Sequence, residues 1–177
     1  MRLTMRLLFE IDHKDYADCT RRYVRDSARS IIIKDGKVAM MHSSRFDNYK
    51  FPGGGIEGPE NPVEAMIRET CEEAGLIVIP ESIREYGYVH RIQKGEKDPA
   101  VCFVQDNFYF LCSVQDEVVP QCLDDYEAQE NFTLEFVDPK TAITKNRNAV
   151  GDASNQLVGH ARDARILELL IAEGFFD

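Results

Sequence analysis

The chain has 177 residues, 44% hydrophobic and 29% charged, with a formal net charge of −10; this is the composition of a folded globular protein, not a disordered one. The acidity disfavours a surface built to grip duplex nucleic acid, whose affinity comes largely from Lys and Arg neutralising phosphates, and suits a protein that concentrates divalent cations. No apolar run approaches the ~18 residues needed to cross a bilayer, the first twelve residues lack a leader-type apolar core, and five scattered cysteines without a CxxC pair point to reduced thiols, so the expectation is one cytoplasmic domain over residues 1–177 with no membrane partner.

In chain order, the segment from Arg2 to Asp12 has the mixed apolar pattern of a strand, and His13 to Arg25 reads as a polar connection. That connection carries Arg21, Arg22 and Arg25, with Arg29 just beyond. In so acidic a chain this is the one basic cluster, either a solvated loop or a set of phosphate contacts. Ala28 to His42 reads as a hairpin turning at Asp35-Gly36, and SSRFDNYK follows as a loop. A glycine turn at Gly53 to Gly55 then leads into a helix over Asn61 to Ala74. Beyond it, Leu76 to Ile79 is a short strand ended by Pro80, and Ile83 to Gln93 and Val101 to Val114 are two long strands. The second is apolar on both faces around Tyr109 and Phe110, which predicts a central position. Residues 115–131, an acidic stretch, read as a surface loop. Phe132 to Val137 reads as a strand, Asp138-Pro139 opens a short helix, and His160 to Phe176 forms a terminal helix. Strands interleaved with helices make this an α/β or α+β sandwich with a mixed sheet.

The chemistry concentrates in Phe51 to Leu76, FPGGGIEGPENPVEAMIRETCEEAGL. At ~100° per residue, Glu69, Glu72 and Glu73 share one helix face, with Ala65 beside them, while Val63, Met66, Ile67, Thr70 and Ala74 form a packing stripe. Three carboxylates within a turn repel one another, and a hard divalent cation such as Mg²⁺ relieves that by taking oxygen ligands. The glycines leave backbone carbonyls and amides open to an ion or phosphate.

Together, Gly54, Glu60, Arg68, Glu69, Glu72, Glu73, Gly75 and Leu76 stand at the spacing of the Nudix box, and the chain from Ala28 to Ala142 resembles a Nudix (MutT-like) hydrolase; Thr70 departs from the large aliphatic residue usual at its position. The resemblance implies an α/β/α sandwich with a mixed sheet and hydrolysis of a nucleoside diphosphate linked to another moiety. It implies Mg²⁺, or Mn²⁺, held by Glu69, Glu72, Glu73 and the Gly53 carbonyl. Gly54, Glu60, Arg68 and Gly75 become structural braces, Arg68 pairing with Glu60. For the base it leaves two choices, Glu69 or a downstream carboxylate, of which Glu130 is the best match and Glu127 and Glu135 follow.

The position where many members have paired arginines reads His42-Ser43. Phosphate contacts are therefore expected from Arg29, Arg45, Lys50 and Arg91. Neither the ADP-ribose nor the dinucleoside polyphosphate subgroup is supported, and Tyr86, Tyr88, Phe103 and Tyr109 read as core more readily than as base-stacking rings. The competing reading is a catalytically silent Nudix-like module that binds a nucleotide metabolite, although such modules usually lose box carboxylates and none is missing here. A homodimer stays open, with the amino-terminal strand joining a neighbouring subunit.

Overall fold

The structure, a computed structural model, describes residues 4–149 and 154–177; the start of the expected first strand, residues 2–3, lies outside them. Twelve strands and four helices are ordered β1 (Leu7–Asp12), β2 (Arg21–Val24), β3 (Ser27–Ile31), β4 (Ile33–Lys34), β5 (Lys37–Ser43), β6 (Asn48–Lys50), β7 (Gly53–Gly55), α1 (Pro62–Ala74), β8 (Leu76–Val78), β9 (Arg84–Lys94), β10 (Val101–Leu111), β11 (Val114–Val118), α2 (Asp125–Gln129), β12 (Phe132–Val137), α3 (Pro139–Arg147) and α4 (Ser154–Ala172).

The larger sheet runs β1-β9-β10-β3-β7, with β2 also on β10, and is mixed: β1 lies parallel to β9, β2 and β3 parallel to β10, and the other pairs are antiparallel. A second sheet, β12-β5-β4 with β6 on β5, is antiparallel throughout. Strand periodicity shows how these sheets are covered. Ile31 and Ile32, Met40 and Met41, and Tyr109 and Phe110 are adjacent in sequence yet fall in opposite apolar cores. Both faces are therefore buried, one against α1 and the other against the packed pair α3 and α4. The result is an α/β/α sandwich with β10 in the middle of its mixed sheet, as expected.

Several segments differ from the sequence expectations. The polar connection contains β2, because Arg21 to Val24 pair in parallel with Val101 to Val104. The hairpin turns at Asp35 and Gly36, both at positive φ, but its first arm is divided: β3 belongs to the larger sheet and β4 to the smaller. SSRFDNYK, expected as a loop, supplies all of β6. The acidic stretch is not a plain surface loop, since it forms β11 and α2 and buries Glu127 and Glu130. The last helix starts at Ser154, six residues earlier than expected. The first strand pairs with β9 of its own chain.

Helix α1 begins with a capping box: Asn61 Oδ1 accepts from the backbone N–H groups of Val63 and Glu64, and Glu64 Oε2 accepts from the Asn61 N–H. It ends at Gly75 with φ 66°, where an added Cβ would lie 2.1 Å from the Val119 carbonyl oxygen, so glycine is required both for the left-handed cap and for that close approach. The stretch after β11 closes this end of the helix. Gln121 Nε2 donates to the Glu73 carbonyl at 2.6 Å and the Cys122 N–H to that of Glu72 at 2.7 Å, pairing two carbonyls that the helix itself leaves unpaired. Ala65, placed by its spacing beside the carboxylates, is fully buried in the α1 core.

Candidate active site

Short strand β7 carries the glycines alongside β3 in register Ser27↔Gly55, Ala28↔Gly54 and Arg29↔Gly53, and α1 packs against both strands. This brings the box carboxylates to the glycine strand at the edge of the sheet. Gly53 has φ 147°, and an added Cβ there would lie 2.2 Å from the Ala28 carbonyl oxygen. At Gly54 the same atom would meet the Glu69 carboxylate at 2.5 Å. The two glycines thus serve different ends: Gly53 allows the backbone pairing and Gly54 makes room for Glu69.

Arg68 ties the box together. Its Nη2 and Nε reach the two oxygens of Glu60 at 2.6 and 3.1 Å, Nη1 reaches Glu69 Oε1 at 2.8 Å and Glu72 Oε2 at 3.2 Å, and Nη2 also donates to the Gly55 carbonyl at 3.1 Å. A planar fork with five donors suits this bracing geometry. The hydrogen bond from Arg68 holds the Glu60 carboxyl below its ordinary value, and the bond to Glu60 raises Arg68 in turn. Burial pushes Glu69 up, against the opposing pull of Arg68.

Glu73 stands apart from this group and is deeply buried. Its Oε2 accepts from the Gly53 N–H at 3.1 Å and its Oε1 from Lys50 Nζ at 2.8 Å; the same Nζ lies 2.8 Å from Glu127 Oε1 and 4.4 Å from the centre of the Phe132 ring. Burial is the main influence on Glu73 and pushes it to about 8, Lys50 pulling the other way while Glu127 adds to the rise. Burial also raises Glu127, but its hydrogen bond to Glu73 and the Lys50 ammonium outweigh that and hold it near about 2. One acidic helix face is thus divided between two cations, Arg68 and Lys50, and only Glu72 of the three box acids is substantially exposed, at 45%.

The donor set fits a divalent cation. Three carboxylates within one helical turn and a fourth from Glu127 beside Glu73 are the hard oxygen donors that Mg²⁺ or Mn²⁺ takes. Among the described residues no three acidic, His or Cys side chains converge on one point, because Arg68 holds Glu60, Glu69 and Glu72 while Lys50 holds Glu73 and Glu127 apart from them. The Gly53 carbonyl, expected as a ligand, receives a long 3.5 Å contact from Arg29 Nη1.

Beside β7 opens a cleft of about 860 Å³. Arg21, Arg22, Arg25, Arg29, Lys50, Arg91 and Lys97 line it, against Glu96 and Asp98, a cationic surface within a strongly acidic chain. Three of the four expected phosphate contacts are here. Arg29 lines the cleft and donates to the Phe51 carbonyl at 3.0 Å, with a buried Nε that has no hydrogen-bond partner among the described residues. Arg91 is buried, donates to Gln93 Oε1 at 2.8 Å and lies 5.4 Å over the Phe103 ring; burial lowers it to about 10, with the Arg162 charge adding. Lys50 borders the cleft but is paired to Glu73 and Glu127. The fourth, Arg45, is exposed over Phe46 and is not part of the cleft lining, because the turn before β6 directs it outward.

Of the downstream acids, Glu127 joins Lys50 and Glu73. Glu130 is buried, its backbone carbonyl accepting from Ser43 Oγ at 3.2 Å. Glu135 accepts from Tyr49 Oη at 2.8 Å and faces His42. The floor of the cleft is the basic cluster that the sequence singles out, but in a segment expected to be a connection. Arg21, Tyr23, Arg25, Ser27 and Arg29 alternate with a period of two, a strand signal hidden by the polarity of the segment. Thr70, the departure from the box, is fully buried and donates to Ser30 Oγ at 2.9 Å, a polar pair in place of an aliphatic contact.

Solved structures share this architecture. A NUDIX hydrolase from Nitrosomonas europaea aligns with a TM-score of 0.55 at 15% identity, covering 79% of this chain and 89% of that one. A chain from a structural study of MutT from Aliivibrio salmonicida and Vibrio cholerae aligns at 0.51 and 16%, covering 85% and 99%. The fold is that of the Nudix hydrolases. The NUDIX domain family model matches residues 24–155, and the chain belongs to the NUDIX family. An RNA pyrophosphohydrolase from Stenotrophomonas maltophilia (strain R551-3) is 32% identical over 118 residues, 61% of this chain and 55% of that protein. One from Xylella fastidiosa (strain 9a5c) is 42% identical over 57 residues, 32% of this chain and 29% of that protein. The chain spans about half the length of the first of these relatives and less of the second. Among the described residues no helix is long and apolar enough to cross a membrane.

Proposed function

We propose that this chain is a divalent-metal-dependent pyrophosphohydrolase, cleaving a pyrophosphate bond in a nucleoside diphosphate linked to another moiety. The observation that carries this reading is the meeting of two guanidinium groups at Gly55. Arg68 reaches its carbonyl from the carboxylate helix, and Arg25 packs on the cleft side, 3.1 Å from where a Cβ would stand. Acid cluster and cation-lined cleft are thereby separated by one strand, which suits a substrate whose phosphates span the two. The similarity to RNA pyrophosphohydrolases makes a 5′-triphosphorylated RNA end the member of this class to test first.

Glu69, Glu72 and Glu73 would hold the ion, with Glu127 adjoining. When bound, Mg²⁺ or Mn²⁺ supplies charge neutralisation on the diphosphate and makes the attacking water more acidic. The chain does the rest. The Glu60–Arg68 pair fixes Glu69 and Glu72 against β7, and Arg25 and Arg29 orient phosphate oxygens from the cleft side. Glu69 or Glu127 takes the proton from the attacking water; the contact of Glu127 with Glu73 supports it ahead of Glu130 as the downstream acid.

The test is release of phosphate, pyrophosphate or monophosphate from a panel of nucleoside di- and triphosphates, nucleotide sugars and a short 5′-triphosphorylated RNA, with Mg²⁺ and with Mn²⁺. Glu73→Gln should lower kcat by at least about 10²-fold on every substrate cleaved; unchanged turnover would sink the reading. A wild-type chain that binds these compounds but cleaves none is instead a binding module. Comparing Glu127→Gln with Glu130→Gln decides the order of the downstream acids.

A further inference from the structure

Strands β2 and β3 lie end to end on the same edge of β10 with one constant register: Arg21↔Val101, Val24↔Val104, Ser27↔Asn107 and Ile31↔Leu111. They are in effect one extended strand with a break at Arg25-Asp26. Side chains alternate along it, so Arg21, Tyr23, Arg25, Ser27 and Arg29 form one stripe, and all five line the cleft. The Tyr23 ring lies 6.1 Å from that of its cross-strand neighbour Phe103.

All four residues of β2 are exposed, and its first three precede the stretch matched by the family model. A strand that buries little adds little to the core; Arg21 pairs with Asp98 at the rim of the cleft, but burial does not account for the Arg-Arg-Tyr sequence there. Tyr23 is 51% exposed and Val24 55%. Exposed aromatic rings alternating with guanidinium groups are the chemistry that holds unpaired bases and the phosphates between them. Eight steps from Arg21 to Arg29, at ~3.3 Å each, span about 26 Å, longer than a single nucleotide with its phosphates.

We propose that β2, with Phe103, is a track for the unpaired nucleotides of a single-stranded RNA whose 5′ phosphates enter the site at Gly55. The inference rests on the cleft being the substrate site. The stripe ends there, since Arg25 lies against Gly55 and Arg29 pairs with Gly53 across β3 and β7. A duplex does not fit the same chemistry: its bases are stacked within the helix, and the net charge of −10 repels a second phosphate backbone lying off the stripe.

The test is fluorescence anisotropy with a short, 3′-labelled, 5′-phosphorylated single-stranded RNA in EDTA, so that binding is read without turnover. Arg21→Ala/Tyr23→Ala should weaken binding of this RNA by about tenfold or more while changing the Kd of a nucleoside triphosphate less than about twofold. Arg21→Lys/Tyr23→Phe should keep most of the wild-type affinity. Circular dichroism and melting of each variant report the fold, and the conservative pair still tests the track should the alanine pair unfold. The proposal is overturned by RNA affinity within twofold of wild type in a folded alanine variant, by equal loss for RNA and mononucleotide, by loss in the conservative pair, by duplex binding as tight as single strand, or by wild type binding no RNA. Hydrolysis of a nucleoside triphosphate with Mg²⁺, measured separately, keeps the two readings distinct: track-dependent binding without hydrolysis sinks only the enzymatic reading, and hydrolysis without track dependence sinks only this one.

Discussion

Lys50 Nζ lies 2.8 Å from Glu73 Oε1 and the same distance from Glu127 Oε1, so one ammonium is shared by two buried acids from segments far apart in sequence. Removing it leaves those carboxylates facing each other in a poorly solvated place. Lys50→Met should therefore lower stability by about 3 kcal/mol in urea unfolding, the range for breaking a buried pair. Added Mg²⁺ should raise the variant's melting temperature more than the wild type's, because a divalent cation takes over the neutralisation. Equal Mg²⁺ responses would mean that the lysine and the ion do not compete for the same charge.

The two glycines should separate fold from chemistry. In Gly54→Ala the new Cβ collides with the end of a flexible side chain, Glu69, which can swing away. Melting should change little, while kcat falls by about 10²-fold because the displaced carboxylate is out of place. In Gly53→Ala the collision is with the Ala28 backbone at a φ that L-residues rarely adopt, and loss of stability comes first. Thermal melting of both variants beside their kcat checks the contrast.

Thr70 and Ser30 form a buried hydrogen-bonded pair between α1 and β3. Thr70→Val should cost about 1 kcal/mol, because the Ser30 hydroxyl keeps only its 3.4 Å contact to the Pro52 carbonyl. Following it with Ser30→Ala should cost little more, since an apolar pair strands no hydroxyl. A double-mutant cycle in urea measures the coupling, and additive losses would show that the pair does not act as a unit.

His160 lines the cleft with a buried Nδ1 that has no partner among the described residues, and burial lowers it below its ordinary 6.5, with Arg162 adding and Asp163 opposing. The unfolded chain then binds this proton more readily than the folded one. The sign follows: the contribution is complete above pH 6.5 and is lost as pH falls through the lower, folded value. The urea midpoint of wild type should fall between about pH 7.5 and 5.5 more than that of His160→Gln. Parallel profiles would remove His160 as the cause.

Local spacing carried the capped helix, its carboxylate face and the brace of Glu60 and Arg68, because a helix turn places residues three and four apart together whatever surrounds it, whereas the glycines, read as a turn, form β7. The alternating apolar pattern of β10 likewise announced a strand buried on both faces. What local spacing cannot contain is the partner from a distant segment. Lys50 meets Glu127 across 77 residues, and α2, read as solvated acid, turns inward only because the stretch before it closes the end of α1. Arg45 and Arg29 look alike in sequence, yet only Arg29 lies on a strand facing the cleft. The same holds for β2: its polar residues alternate as a strand does, but they become a strand only through pairing with β10, which supplies the hydrogen bonds that burial does not. The sequence by itself determined which acids share one face of α1 and which residues brace them, because helical spacing is local; the tertiary structure decided how their charges are shared and where the cationic wall that faces them stands, because those partners come from distant segments.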